Sequence, residues 1–295
     1  MVNHVGSPND LTLPFFAYEI FKPGQLSYHR IKKFVKGNPS AEIIEHEMQY
    51  RDIFAFIIGE ENEKFKTSGY MIEFTNPPIA YKRIGKSKPE NLYEWKVIKV
   101  NGKEANALVG RDTDCGSFDN QDYDISTYDY RPDYYFNEGL ESIEDTIKKL
   151  KDKDIKNMGE FFELQNQYMT LWSIIERFCT LSYGYFKIGS NMFNFAQQKP
   201  FRKTLKKDIG REDVVYSSDE LEDKHLDPED YKESIKYYYT IRCNVVHKGK
   251  AATDKDKNKL KKSLEELYIL FMAVYNKKLI ENNRILEKYP EKKSV

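Results

Sequence analysis

Leu92–Gly110 reads "LYEWKVIKVNGKEANALVG". Tyr93, Trp95, Val97 and Lys99 alternate with Glu94, Lys96 and Ile98, which is the period of a strand. Asn101-Gly102 follows, the pair best able to take φ > 0 at both centres of a two-residue hairpin turn. The stretch therefore predicts two antiparallel strands. Phe161–Phe186, "FFELQNQYMTLWSIIERFCTLSYGYF", obeys a different rule. Leu164, Tyr168, Leu171, Trp172, Ile175, Phe178 and Cys179 recur at helical spacing, and Gly184 offers a stop. Together the two stretches set the fold class as α+β. A small mixed β domain is expected over 1–137 and an all-α helical bundle over 138–295.

Other segments fit that division. In the first part "LPFFAYEIFKPGQ" is an aromatic run closed by the turn signal Pro23-Gly24. Ile53–Gly59 and Gly69–Phe74 have strand length and composition, and Ile79–Lys86 reads as a short helix. Gly110–Gly139, rich in Asp, Tyr and Gly, has no period and lacks the ligand order of an EF-hand, so it reads as a solvated connector. In the second part "REDVVYSSDELEDKHLDPEDY" reads as an acidic loop. Asp227-Pro228-Glu229-Asp230 then signals a helix start, with Asp227 as cap and Pro at the first position. That helix should end near Gly249. A last helix is expected over Lys257–Leu279, with Leu260, Leu264, Leu267, Phe271 and Val274 on one face. Beyond it the tail "ENNRILEKYPEKKSV" reads as frayed or partly helical.

Composition narrows the partners. Lys+Arg and Asp+Glu are both 47, so the net charge is zero. Attraction to nucleic acid must then come from local patches. No apolar run approaches the roughly 20 residues of a membrane helix, and the N-terminus has no secretory pattern. Cys115, Cys179 and Cys243 are dispersed and show no CxxC spacing. A cytoplasmic protein without disulfides, zinc or other metal, and without a cofactor, is expected.

Tyr238–Ala251, "YYTIRCNVVHKGKA", carries the chemistry. Asn244 and His247 share a helix face. Arg242 precedes His247 by five residues, roughly 140° round an ideal helix. The two converge only if the helix loosens at its end or a second chain contributes. A His near neutrality suits proton transfer, and an Arg suits a bidentate grip on phosphate. The pair could cleave an RNA phosphodiester. It could equally be structural, the Arg pairing with a carboxylate and the His capping a carbonyl.

This segment, set between the helix carrying "LWSIIERF" and a leucine-rich helix, resembles the HEPN superfamily, whose signature is Arg, a short spacer and His. The matching residues are Arg242, Asn244 and His247, followed by Lys248-Gly249-Lys250, and the resemblance spans roughly Asp154–Lys278. It implies a homodimer through the C-terminal helices that joins two Arg–His pairs in one metal-independent endoribonuclease cleft. Many such domains are toxins or antiviral effectors, and a cognate antitoxin or regulatory protein is a possible partner. Some have lost catalysis, which leaves a nucleotide- or protein-binding module as an alternative. Two readings stay open for Glu176: a carboxylate that orients Arg242, or an exposed helix residue beside Arg177. Two basic runs could follow RNA. One holds Lys199, Arg202, Lys203, Lys206 and Lys207; the other runs from Lys248 and Lys250 to Lys262.

"LPFFAYEIFKPGQL" resembles the opening of gamma-glutamylcyclotransferase-like domains, and the likeness extends over Leu11–Gly110. Phe16, Ala17 and Tyr18 match the strand that leads into the family's substrate loop. Glu19 stands where the family has Gly. Lys88 stands at the place of the catalytic Glu, with Glu90 as the nearby substitute. These departures imply a non-catalytic relative, either a ligand sensor or a docking surface, with Tyr18, Glu19 and Glu90 around its pocket. An active cyclotransferase with a helical dimerisation domain is the third alternative.

Overall fold

The computed structural model describes residues 3–51, 54–111, 134–151, 153–184, 187–217, 220–248 and 253–290. The fold is mixed α+β, with a curled mixed sheet and, among the described residues, seven α-helices. The chain divides into two compact units. One holds Met1–Arg131, Thr180–Lys187 and Leu279–Val295; the other holds Pro132–Cys179 and Ile188–Lys278.

The first unit is built on seven strands: β1 (Phe15–Ala17), β2 (Val35–Ile44), β3 (Met48–Arg51), β4 (Phe54–Ile57), β5 (Thr67–Phe74), β6 (Tyr93–Val100) and β7 (Lys103–Gly110). Their order is β2-β5-β1-β7-β4-β3, with β6 on the other edge of β7. The predicted hairpin forms. Tyr93 pairs with Gly110 through to Val100 with Lys103, and Asn101 and Gly102 take φ 50° and 78°. β1 and β4 both run parallel to β7, at Phe15↔Asn106 and Ile57↔Val109.

Two adjacent phenylalanines separate the faces of the sheet. Phe16 packs on one side with Tyr18, Ile44, Ile57, Ile98, Val100, Ala105, Ala107 and Val109. Phe15 packs on the other, 5.9 Å from Trp95 and 6.3 Å from Tyr81 of helix α1 (Pro77–Gly85). The alternation read in β6 holds as a strand period: Tyr93, Trp95 and Val97 share one face, on which Tyr93 is buried and Val97 exposed, and Ile98 on the other face is in the core.

The turn at Pro23-Gly24 needs its glycine twice over. Gly24 has φ 86°, and a Cβ there would lie 2.3 Å from Cγ of Leu286. Leu286 belongs to the tail read as frayed or partly helical, which is helical as far as Lys288. It is held by His29 Nε2, 2.5 Å from Asn282 Oδ1, and by Tyr70 Oη, which donates to the Tyr289 carbonyl at 3.0 Å. The half-buried Arg30 guanidinium donates to the carbonyls of Tyr183 and Arg83, each in the last turn of a helix. A cation there offsets the negative helix end.

The second unit contains α2 (Tyr134–Leu150), α3 (Met158–Tyr183, up to Cys179), α4 (Ile188–Ala196), α5 (Lys199–Thr204), α6 (Tyr231–Lys248) and α7 (Asp254–Lys288, up to Lys278). α3 ends at Gly184, which has φ 104°. The seven periodic residues of α3 are all buried, as are the five of α7. Phe178 and Phe271 meet edge to face at 5.6 Å. The connector read at Gly110–Gly139 lies mostly outside the described residues; α2 begins inside its last part.

This unit is not all-α. The supposed acidic loop holds a hairpin, β8 (Asp213–Ser217) and β9 (Glu222–Leu226), in register from Asp213↔Leu226 to Ser217↔Glu222. Val214, Val215 and Tyr216 are strand formers, and the acids around them are paired, Asp213 with Arg211 and Lys259, and Glu220 and Glu222 with Lys224. The helix start also shifts. Asp230, not Asp227, is the cap, accepting from the amides of Lys232 (2.8 Å) and Glu233 (3.2 Å). Pro228 sits in the preceding turn, closed by the amide of Asp230 on the carbonyl of Asp227 at 3.1 Å.

Candidate functional site

The Arg–His segment lies on α6, which stays α-helical through Lys248. Arg242 faces α3, with Nη2 4.0 Å from Glu176 Oε1. Its guanidinium carbon stands 5.6 Å from the ring centre of Tyr239, one turn earlier, and Trp172 meets that ring edge to face at 5.5 Å. Both charged side chains keep partial access to solvent, 22% for Arg242 and 32% for Glu176. Burial holds the Glu176 carboxyl above its ordinary range, and the Arg242 charge opposes this only in part. Arg242 Nε is shielded from solvent and makes no hydrogen bond among the described residues. A shielded donor without an acceptor is uncommon, and here it belongs to the group expected to hold phosphate.

Asn244 points elsewhere. It is 6% exposed, and its Nδ2 donates to the carbonyl of Tyr216 at 2.9 Å, tying α6 to the hairpin. The backbone of His247 belongs to α6, but its side chain, like that of Lys248, lies outside the described residues, and so does Lys250. Because the helix does not loosen before His247, the 140° offset between its Cα and that of Arg242 persists within one chain.

The two basic runs differ. On α5, Arg202 and Lys203 are exposed, and Arg202 lies 5.8 Å from the ring centre of Tyr231. Lys206 pairs with Glu229 at 2.6 Å. Much of the second run is engaged within the unit. Lys257 pairs with Asp254 at 3.3 Å and Lys259 with Asp213 at 3.0 Å. Lys261 donates to the carbonyls of Lys151 and Lys153.

Sequence reasoning missed the network beneath the hairpin. Arg211 grips Glu266 with a two-pronged bond, Nε to Oε1 at 2.6 Å and Nη2 to Oε2 at 2.8 Å, and reaches Asp213 with Nη1 at 2.8 Å. Tyr237 donates to Asp213 at 2.8 Å and Tyr238 to Glu266 at 3.0 Å. Hydrogen bonds from Arg211, Lys259 and Tyr237 outweigh burial and hold the Asp213 carboxyl well below its usual range. The only hint in the sequence is the clustering of Arg211 and Asp213 on one side and Tyr237-Tyr238 on the other. No local spacing connects either to Glu266.

In the first unit, Tyr18 Oη donates to the Leu108 carbonyl and accepts from the Ile57 amide at 3.4 Å. Glu19 is buried and takes φ 58°, a left-handed conformation that costs a non-glycine residue about 1–3 kcal/mol. Its carboxylate meets Lys88. Nζ donates to Oε1 at 2.8 Å, to Oε2 at 2.7 Å and to Tyr93 Oη at 3.0 Å. The Ala55 amide donates to Oε1 at 3.4 Å, and Tyr93 Oη donates to the Ala55 carbonyl at 2.7 Å. Glu90 is outside this cluster. It is exposed and accepts from Asn3 Nδ2 at 3.4 Å.

Comparison with protein-family models, with curated proteins and with solved structures gives no match. Among the described residues no group of three or more His, Cys, Asp or Glu could hold a metal ion, and no helix is long and apolar enough to cross a membrane.

Proposed function

We propose that the chain is a HEPN-type endoribonuclease that works as a homodimer and cleaves RNA without a metal, as an effector of the toxin or antiviral-defence kind. The observation that carries this reading is Arg242. Its side chain is half-buried on α6, paired at the loose limit of 4.0 Å with Glu176, and its shielded Nε makes no bond among the described residues. Such a guanidinium has capacity left for a phosphate. His247 follows five residues later, and the unbroken helix keeps the two apart by roughly 140° within one chain. A two-fold axis that brings α6 from a second copy alongside would supply the missing convergence.

In this reading the ribose 2′-oxygen attacks phosphorus and the bond to the 5′-oxygen breaks. His247 carries a proton, taking it from the 2′-hydroxyl or giving it to the leaving oxygen. Arg242 holds the charge of the pentacoordinate phosphate. The exposed Arg202 and Lys203 offer phosphate contacts along the approaching strand. The first unit is a non-catalytic cyclotransferase-like domain. The Glu19–Lys88 pair supports this, since the buried position available to a catalytic carboxylate is taken by an ammonium already bound.

A non-catalytic HEPN module that binds a nucleotide or a partner protein is the second reading, favoured by the hold of Glu176 on Arg242. Incubation of the purified protein with RNA in EDTA decides between them. The first reading expects fragments ending in 2′,3′-cyclic phosphate and 5′-hydroxyl, with a dimer by light scattering. RNA left uncut by a protein of unchanged fold would select the second.

A further inference from the structure

The Glu19 carboxylate is surrounded as a bound ligand would be. Its donors come from two separate parts of the first unit, Lys88 from the segment after α1 and the Ala55 amide from β4, and Tyr93 of β6 accepts a further bond from the same Lys88 ammonium. Each is anchored independently of Glu19. The Lys88 amide donates to the Gly85 carbonyl, its own carbonyl accepts from the Val5 amide, and the Tyr93 hydroxyl donates to the Ala55 carbonyl. Glu19, by contrast, reaches the cluster from a short 3₁₀ turn, Glu19–Phe21, at φ 58°. The strained partner is thus the carboxylate, and the donors are held by ordinary secondary structure.

The geometry points to a carboxylate-binding site whose resident ligand is the chain's own Glu19. Lys88 and the Ala55 amide form the receptor, Tyr93 positions Lys88, and the Glu19–Phe21 turn keeps the site closed to external carboxylates. The matching ligand class is a small unbranched aliphatic carboxylate the size of the glutamate side chain. The side chain is 2% exposed and its partner 1%, so an external carboxylate has no entry while Glu19 is present. A merely structural ion pair would need neither the left-handed backbone nor a positioned hydroxyl behind the ammonium.

Glu19→Gly tests this directly. Glycine accepts φ 58° without strain, and the lost atoms correspond to propionate. The full-length variant is expected to melt lower than the wild type. Propionate should raise its melting temperature saturably, by about 2–6 °C at ten times Kd, through binding to the native state. Chloride and propylammonium at equal ionic strength should not reproduce the rise. Glu19→Gly/Lys88→Met should lose it, and the wild type should not show it. If Glu19→Gly folds poorly, its refolding yield is compared in propionate and in chloride. Equal melting or equal yield in the two salts overturns the proposal, as does a propionate effect that survives the loss of Lys88.

Discussion

Arg242 on α6 and Glu176 on α3 approach to 4.0 Å between Nη2 and Oε1, at the loose limit of an ion pair. The carboxylate partner that the sequence allowed is present. The proposal that a phosphate takes its place on Arg242 has consequences that can be measured.

Arg242→Ala should lower RNA cleavage by about 10²–10³-fold, as the loss of a transition-state donor does. His247→Ala should lower it by about 10²–10⁴-fold, as the loss of a proton carrier does. Arg242→Lys should recover little, because an ammonium lacks the planar fork. Rate is to be read against melting temperature. Lost cleavage with unchanged melting supports the site, whereas parallel loss of both assigns the residues to structure.

Glu176 makes stability depend on pH. Burial raises its folded pKa above the ordinary 4.5, so the native state binds this proton more tightly than the unfolded chain. The contribution is fully present below about 4.5 and is lost as pH rises through the folded value. Urea midpoints across that window should fall less steeply with pH in Glu176→Gln than in the wild type. Identical slopes would show that the carboxyl is not held up.

Arg211 and Glu266 should be inseparable energetically. Glu266 is 6% exposed, and Arg211→Met would leave a buried carboxylate beside the Tyr238 hydroxyl. Breaking one side of a buried pair typically costs about 3–5 kcal/mol. Arg211→Met/Glu266→Leu should cost far less than the sum of the single changes, as read from a denaturation cycle.

Gly24→Ala should destabilise by more than the strain alone, which is about 1 kcal/mol or more at a positive φ. The added Cβ would lie 2.3 Å from Leu286 Cγ. Leu286→Ala introduced alongside should recover the steric part and leave the backbone part. Equal melting of Gly24→Ala and the wild type would contradict the close approach.

What the sequence determined is what neighbours along the chain decide. Asn101-Gly102 demands a hairpin because few other residues accept φ > 0 twice. Leu164 to Cys179 demands a helix because only that period gathers those side chains on one face. The periodic faces of α3 and α7 likewise announced their own burial. Tertiary structure decided the rest, through partners that no period connects. Asp213 lies in a strand rather than an acidic loop because Arg211, Lys259 and Tyr237 neutralise it. Ile98 enters the core while its apolar neighbour Val97 stays exposed, a choice that alternation alone does not make. The α7 tail is ordered because Gly24 leaves room for Leu286. Glu19 and Lys88 each looked like a departure from a family pattern, and only the fold made them partners, 69 residues apart. The physical reason is range. Backbone torsion and periodicity act over a few residues, whereas burial obliges a charge to find its opposite wherever the chain happens to bring one.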